Sequence, residues 1–137
     1  MRRVVLDVNV LVSGLAFPGV CRSILNSFEG DQFTFVLSPA LLEDFLRTIE
    51  KPKLKKWITT EMLDEMISLI HMKALVVEPK IKVRACRDSD DDAVLECALS
   101  ARAVIIVTGD HDLLSMKTFK GVSILSPRDF SKRFAIR

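Results

Sequence analysis

Two rhythms of apolar residues alternate along the chain. Near-continuous runs at 3–8 (broken by Asp7), 33–37 (FTFVL), 104–107 (VIIV) and 121–126 (GVSILS) predict strands. With no regular polar alternation, such strands are covered on both faces. Between them, apolar positions recur every three or four residues, the mark of a helix with one buried stripe. Val20, Ile24, Leu25 and Phe28 place a helix at 20–29, stopped by Gly30. SPALLEDFLRTIE (38–50) opens with Ser38 as N-cap and Pro39 at the first helical position, and Pro52 ends it. A helix at 59–74 has Thr59 or Thr60 as cap and Met62, Met66, Leu69 and Ile70 along one face. Residues 74–79 (ALVVEP) read as a short edge strand. DDDAVLECALSARA (90–103) is a helix with acids at its positive end, where the dipole favours them. DHDLLSM (110–116) is a short helix, and SPRDFSKRF (126–134) repeats the Ser-cap, Pro-first device with Asp129 three residues after the cap.

Buried strands separated by helices predict an α/β fold, a three-layer α/β/α sandwich with a central parallel sheet. A length of 137 residues suits one core, so residues 1–137 are read as a single domain. There is no internal repeat and no Pro/Gly-rich linker. Charged residues make up 28% of the chain, which marks it as globular, and no apolar run reaches the roughly 20 residues of a membrane span. Arg2 and Arg3 before an apolar run mimic an export signal, but Asp7 and Asn9 interrupt it. Cys21, Cys86 and Cys97 are odd in number and widely spaced, which predicts reduced thiols, a cytoplasmic setting and no zinc site.

Asp7 in its apolar run raises a question of energetics, because a buried carboxylate is costly unless paired. Function in a parallel sheet gathers outside the carboxyl ends of the strands. Asp7 is near the end of the first strand, Asp110 just past VIIV, and Glu43 one turn into the helix after FVLS. Asp92 begins the helix that leads into VIIV. If these carboxylates converge, their repulsion either raises their pKa values or is offset by a cation. Carboxylate ligands without His or Cys suit a hard ion, Mg²⁺ or Mn²⁺, and paired hard ions cut phosphodiesters.

This ordered set resembles the PIN-domain family, and within it the stand-alone ribonucleases encoded as toxins of toxin–antitoxin pairs. The resemblance runs through VVLDVNVLVSG, LSPALLEDFLRTI and DSDDDAVLECALSARAVIIVTGDHDLL, essentially the whole chain. It implies Mg²⁺- or Mn²⁺-dependent cleavage of RNA by an activated water. By position, Asp7, Glu43, Asp92 and Asp110 match the family's acids, with Asn9, Thr108 and Asp90 as accessory residues. RDSDDDA offers Asp88, Asp90, Asp91 and Asp92 for one role, and the pattern AVLECA after it favours Asp92. The resemblance also implies a small antitoxin partner and a homodimer. The helix at 59–72, with Met62, Met66, Ile70 and Met72, carries more apolar residues than one stripe needs and is the expected contact surface.

Each feature has a plainer reading. Asp7 can cap a neighbouring amide, Asp90 to Asp92 can serve the helix dipole, and Lys51 to Lys56 can hold RNA or simply flank Trp57 as a solvated rim. His71 and His111 read as a helix-face and a turn residue. DSDDDA is not a calcium loop, because Ala93 and Leu99 stand where Gly and Glu are required. Two other functions compete: an aspartate-based phosphatase with Asp7 as nucleophile, whose motif needs an acid where Asn9 stands, and a non-catalytic RNA- or protein-binding module.

Overall fold

The computed structural model describes residues 1–136. The elements run β1 (Arg3–Leu6), α1 (Val8–Ala16), α2 (Val20–Glu29), β2 (Thr34–Leu37), α3 (Pro39–Ile49), α4 (Pro52–Lys55), α5 (Thr60–Lys73) and β3 (Leu75–Val76). Then follow α6 (Ser89–Ser100), β4 (Ile105–Val107), α7 (His111–Met116), β5 (Thr118–Phe119), β6 (Val122–Leu125) and α8 (Pro127–Arg133). The sheet order is β3-β2-β1-β4-β6-β5, parallel throughout except for β5 against β6. The sheet is therefore mostly parallel, with an antiparallel ribbon at one edge. No single helix among the described residues is long and apolar enough to cross a membrane.

The inner strands are as buried as their composition predicts: Val4, Val5, Phe35, Val36, Ile106 and Val107 are fully covered. Ser38 caps α3 by accepting from the Leu41 amide at 3.3 Å, and Ser126 caps α8 through the Asp129 amide at 3.1 Å. Thr59 caps α5 through the Met62 amide at 3.1 Å.

Three elements depart from the sequence reading. Strand β1 stops at Leu6, and the β-branched run after it forms helix α1, with Asp7 as N-cap. Val8, Val10, Leu11 and Val12 are all buried, so tertiary burial overrides strand preference, and only Asn9 and Ser13, four residues apart, mark a polar side. Pro52 does not merely end α3; it is the first residue of α4. β5 and β6 form a hairpin whose turn, Lys120 (φ 47°) and Gly121 (φ 86°), has positive φ at both positions. That is the geometry of a type I′ turn, with Lys-Gly in place of the usual Asn-Gly.

The chain leaves β1 for β2 and β3 on one side, then crosses back through α6 to β4 on the other side of β1. The strand order therefore reverses between β1 and β4, which in an open α/β sheet leaves a crevice at their carboxyl ends.

Candidate metal centre

Leu6 is in register with Val107, so the residues following both strands emerge side by side. The Asp7 amide donates to the Val107 carbonyl at 2.9 Å. The hydroxyl of Thr108, fully buried, donates to Asp7 Oδ2 at 2.7 Å and accepts from the Asp110 amide at 3.0 Å. Thr108 thus fixes Asp7 and the backbone of Asp110 to one another. Asp110 is the N-cap of α7, with Oδ1 accepting from the amides of Asp112 (2.8 Å) and Leu113 (3.3 Å). Its second carboxylate oxygen accepts none of the hydrogen bonds formed among the described residues.

Asp91, Asp110 and Asp112 each present a ligand atom within 4.8 Å of the others. Asp91 is 6% exposed. Among the described residues no ion pair reaches Asp7, Asp91 or Asp110, and Asp112 is held at 2.8 Å by Arg87. Burial pushes the Asp7 carboxyl above the usual carboxylate range, and the Asp110 and Asp44 charges add to it against the opposing bonds from Thr108 and the Val8 amide. Burial, then the charges of Asp110, Asp88, Asp7 and Asp112, push Asp91 up to about 6. The positive ends of α1, α6 and α7 all open on this rim and offset part of the repulsion. The donor set is carboxylate oxygen throughout, crowded and without a basic side chain at its centre, and it fits a hard divalent cation.

The structure brings Asp7, Thr108 and Asp110 together as the sequence reading expects, but turns Asp92 away and leaves Glu43 exposed at the margin. Asp92 faces away from the rim: its Oδ1 accepts from the amides of Ala85 (3.0 Å) and Cys86 (2.9 Å). Burial opposes its ionisation, but these two amides and the Cys86 thiol outweigh that and hold its carboxyl below the ordinary value. Asp92 belongs to a stripe with Glu96, which accepts from the Val83 amide at 2.9 Å, and Ser100, which accepts from the Lys80 amide at 3.2 Å. Spaced four residues apart on α6, the three pin the long connection from β3. Asp91, one residue back and about 100° round the helix, shares the buried face with Val94, Leu95 and Ala98. Glu43 is exposed and lines a recess between α3 and α6 together with Asp44 and Asp90, whereas Asp44 is half-buried and its charge acts on Asp7. Asp44 also pairs with Arg47 at 3.2 Å. Asp90 and Asn9 are exposed, and Asp88 caps α6 through the Asp90 amide at 2.9 Å. Helical periodicity contained this signal: Asp91 precedes Val94 by three residues and Leu95 by four, while Asp92 precedes the polar Glu96 by four.

The cysteines offer no rival chemistry. Burial raises the Cys21 thiol, and pushes Cys86 to about 11 and Cys97 to about 12, so none is poised as a thiolate.

A family model described as PIN domain matches residues 3–112. The chain is similar to the uncharacterised protein MJ1680 of Methanocaldococcus jannaschii, 30% identical over 117 residues, which cover 84% of this chain and 75% of that one. Its fold is similar to the crystal structure of VapBC2 from Rickettsia felis bound to a DNA fragment from their promoter. There the TM-score is 0.62 at 14% identity, over 90% of this chain and 98% of the other.

Proposed function

Because the chain belongs to the PIN-domain family, we propose that it is a divalent-metal-dependent endoribonuclease and the toxin of a toxin–antitoxin pair. The observation that carries the reading is the crowding of Asp91, Asp110 and Asp112 within 4.8 Å at the ends of β1 and β4, next to Asp7. Mg²⁺ or Mn²⁺, bound there, would supply a metal-bound water as nucleophile and neutralise charge on the phosphate.

The chain's own residues do the rest. Asp91, Asp110 and Asp112 would hold the cation together with Asp7, with Asp44 at its margin. Thr108 orients Asp7 by donating to its Oδ2. The paired amides on Asp110 Oδ1 fix its second oxygen in the same way. Asp92 has a structural part here, not a catalytic one. RNA reaches the rim from solvent, since Asn9 and Asp90 beside it are exposed.

A small antitoxin and a second copy of the chain are the partners this reading brings. Met66 and Ile70 of α5 are core residues, but Met62, Leu69 and Met72 line a groove of about 720 Å³ between α2 and α5. Glu29, Asp64 and Glu65 outnumber Arg22 along it, which suits a partner segment combining apolar and basic residues.

The test is direct. Purified protein with Mn²⁺ should cut single-stranded RNA, EDTA should stop it, and Asp7→Asn should stop it with the fold intact by circular dichroism. Cleavage that survives both Asp7→Asn and Asp91→Asn would overturn the reading.

A further inference from the structure

A second surface feature adjoins the acidic rim. A cleft of about 420 Å³ opens between α1, the end of α3 and α4. Asn9, two residues after Asp7, is on one wall, and Thr48 is on another. Thr48 follows Asp44 by one turn of α3, about 6 Å along the axis, and its hydroxyl donates to the Asp44 carbonyl at 2.7 Å. The cleft therefore starts where the acids end.

Its contents are specific. Trp57 is 49% exposed and Phe17 40% exposed, although both are large aromatics. Their ring centroids are 5.6 Å apart at 59°, so Phe17 braces Trp57 while half of the indole stays open. Lys51, Lys53 and Lys56 surround them, and no acidic side chain lines the cleft. Lys55 next door is neutralised by Glu50 at 3.1 Å, but among the described residues Lys51, Lys53 and Lys56 make no ion pair. The Lys56 ammonium is 5.5 Å from the Trp57 ring centroid. A half-exposed indole among uncompensated lysines, with Asn9 and Thr48 as neutral hydrogen-bonding groups, matches a base with its flanking phosphates once the Lys56 ammonium turns from the ring to a phosphate. The groove between α2 and α5, where acids outnumber Arg22, has the opposite character.

We propose that this cleft is a subsite for single-stranded RNA, in which a base stacks on Trp57 and Lys51, Lys53 and Lys56 meet the phosphates next to the scissile one. The subsite rests on the ribonuclease reading above. It selects unpaired RNA, because a base inside a duplex is already stacked on its neighbours and cannot reach the indole.

Trp57 is the chain's one tryptophan, so its emission reports on the cleft without a label. An unstructured RNA oligonucleotide titrated in EDTA should quench that emission saturably, and the same oligonucleotide annealed to its complement should quench it far less. Trp57→Ala should weaken binding of a fluorescein-labelled oligonucleotide roughly 5- to 150-fold and raise KM with little change in kcat. Trp57→Phe should keep most of the affinity. Melting curves check that both variants fold. Unchanged emission with RNA bound, equal quenching by duplex, or wild-type binding by Trp57→Ala would each overturn the subsite. The two readings fail separately: RNA that quenches and is never cut defeats the nuclease alone, and RNA cut with wild-type KM by Trp57→Ala defeats the subsite alone.

Discussion

Thr108 and Asp7 are 101 residues apart in sequence and 2.7 Å apart in space, joined by a hydroxyl that donates to a half-buried carboxylate. The contact answers in part why an acid is tolerated between Leu6 and Val8. Removing the hydroxyl leaves an acceptor and the Asp110 amide without their partner. Thr108→Val should therefore destabilise the metal-free protein by about 1–3 kcal/mol and lower metal affinity roughly 10- to 100-fold. Thr108→Ser should recover most of both. Urea unfolding in EDTA and a Mn²⁺ titration by calorimetry measure the two effects, and a Thr108→Val protein equal to wild type in both would remove the residue's role.

Asp91 and Asp92 are neighbours with different duties. Asp91→Asn should reduce RNA cleavage roughly 100-fold or more, since several kcal/mol of charge stabilisation are at stake. Asp92→Asn should leave cleavage close to wild type and loosen the segment before α6, whose Ala85 and Cys86 amides it holds. Single-turnover cleavage and hydrogen exchange at Ala85 and Cys86 read the two. The reverse pattern would return the site to Asp92.

On α3 the same comparison separates Asp44 from Glu43. Asp44→Asn should depress cleavage and lower the Asp7 pKa, because one repelling charge is gone. Glu43→Gln should do neither, its side chain being exposed and its charge not among those acting on Asp7. Carbon-detected NMR titration of the Asp7 carboxyl in EDTA follows the shift.

The elevated pKa of Asp91, about 6, gives a pH dependence of definite sign. Its unfolded value is about 3.9, so the folded protein binds more protons between the two. Asp91 therefore contributes its stabilisation in full below about pH 4 and loses it progressively as pH rises through about 6. The metal-free protein should lose stability across this window more steeply than Asp91→Asn does. Mg²⁺ should reverse the difference at pH 7, and binding should release protons as the solution is acidified towards 6. Melting temperatures of both proteins at pH 4.5, 6 and 7.5, with and without Mg²⁺, test this.

Gly14 sets the approach of α1 to α2. A Cβ there would be 2.7 Å from Leu25 Cδ1 and 2.8 Å from the Cys21 carbonyl oxygen. Gly14→Ala should destabilise the fold by about 1–3 kcal/mol despite its better helix propensity, as a chemical denaturation midpoint will show.

The sequence announces its buried strands and capped helices because those signals are local: a run without polar residues, a Ser before a Pro. It hides α1, whose β-branched residues favour a strand and whose polar side is only Asn9 and Ser13. It hides the β5–β6 hairpin too, whose turn carries Lys120 where Asn is customary. Asp7 and Asp110 are legible because strand ends mark them. Asp44 and Asp91 are each adjacent to a second acid, and which of the two faces inward depends on helix phase, a relation between the helix and the sheet it packs on. The stripe of Asp92, Glu96 and Ser100 became meaningful only with the connection from β3 laid against it.

That stripe constrains how the chain can change in length. An extra residue between Asp91 and the body of α6 would swing the acid away from the rim, because each added position turns a helix by about 100°. Residues 78–87, outside any helix or strand, can gain or lose a position as long as some amide still meets Asp92 and Glu96. Relatives should therefore differ in size before the turn that carries Asp91 and hold their spacing rigidly after it.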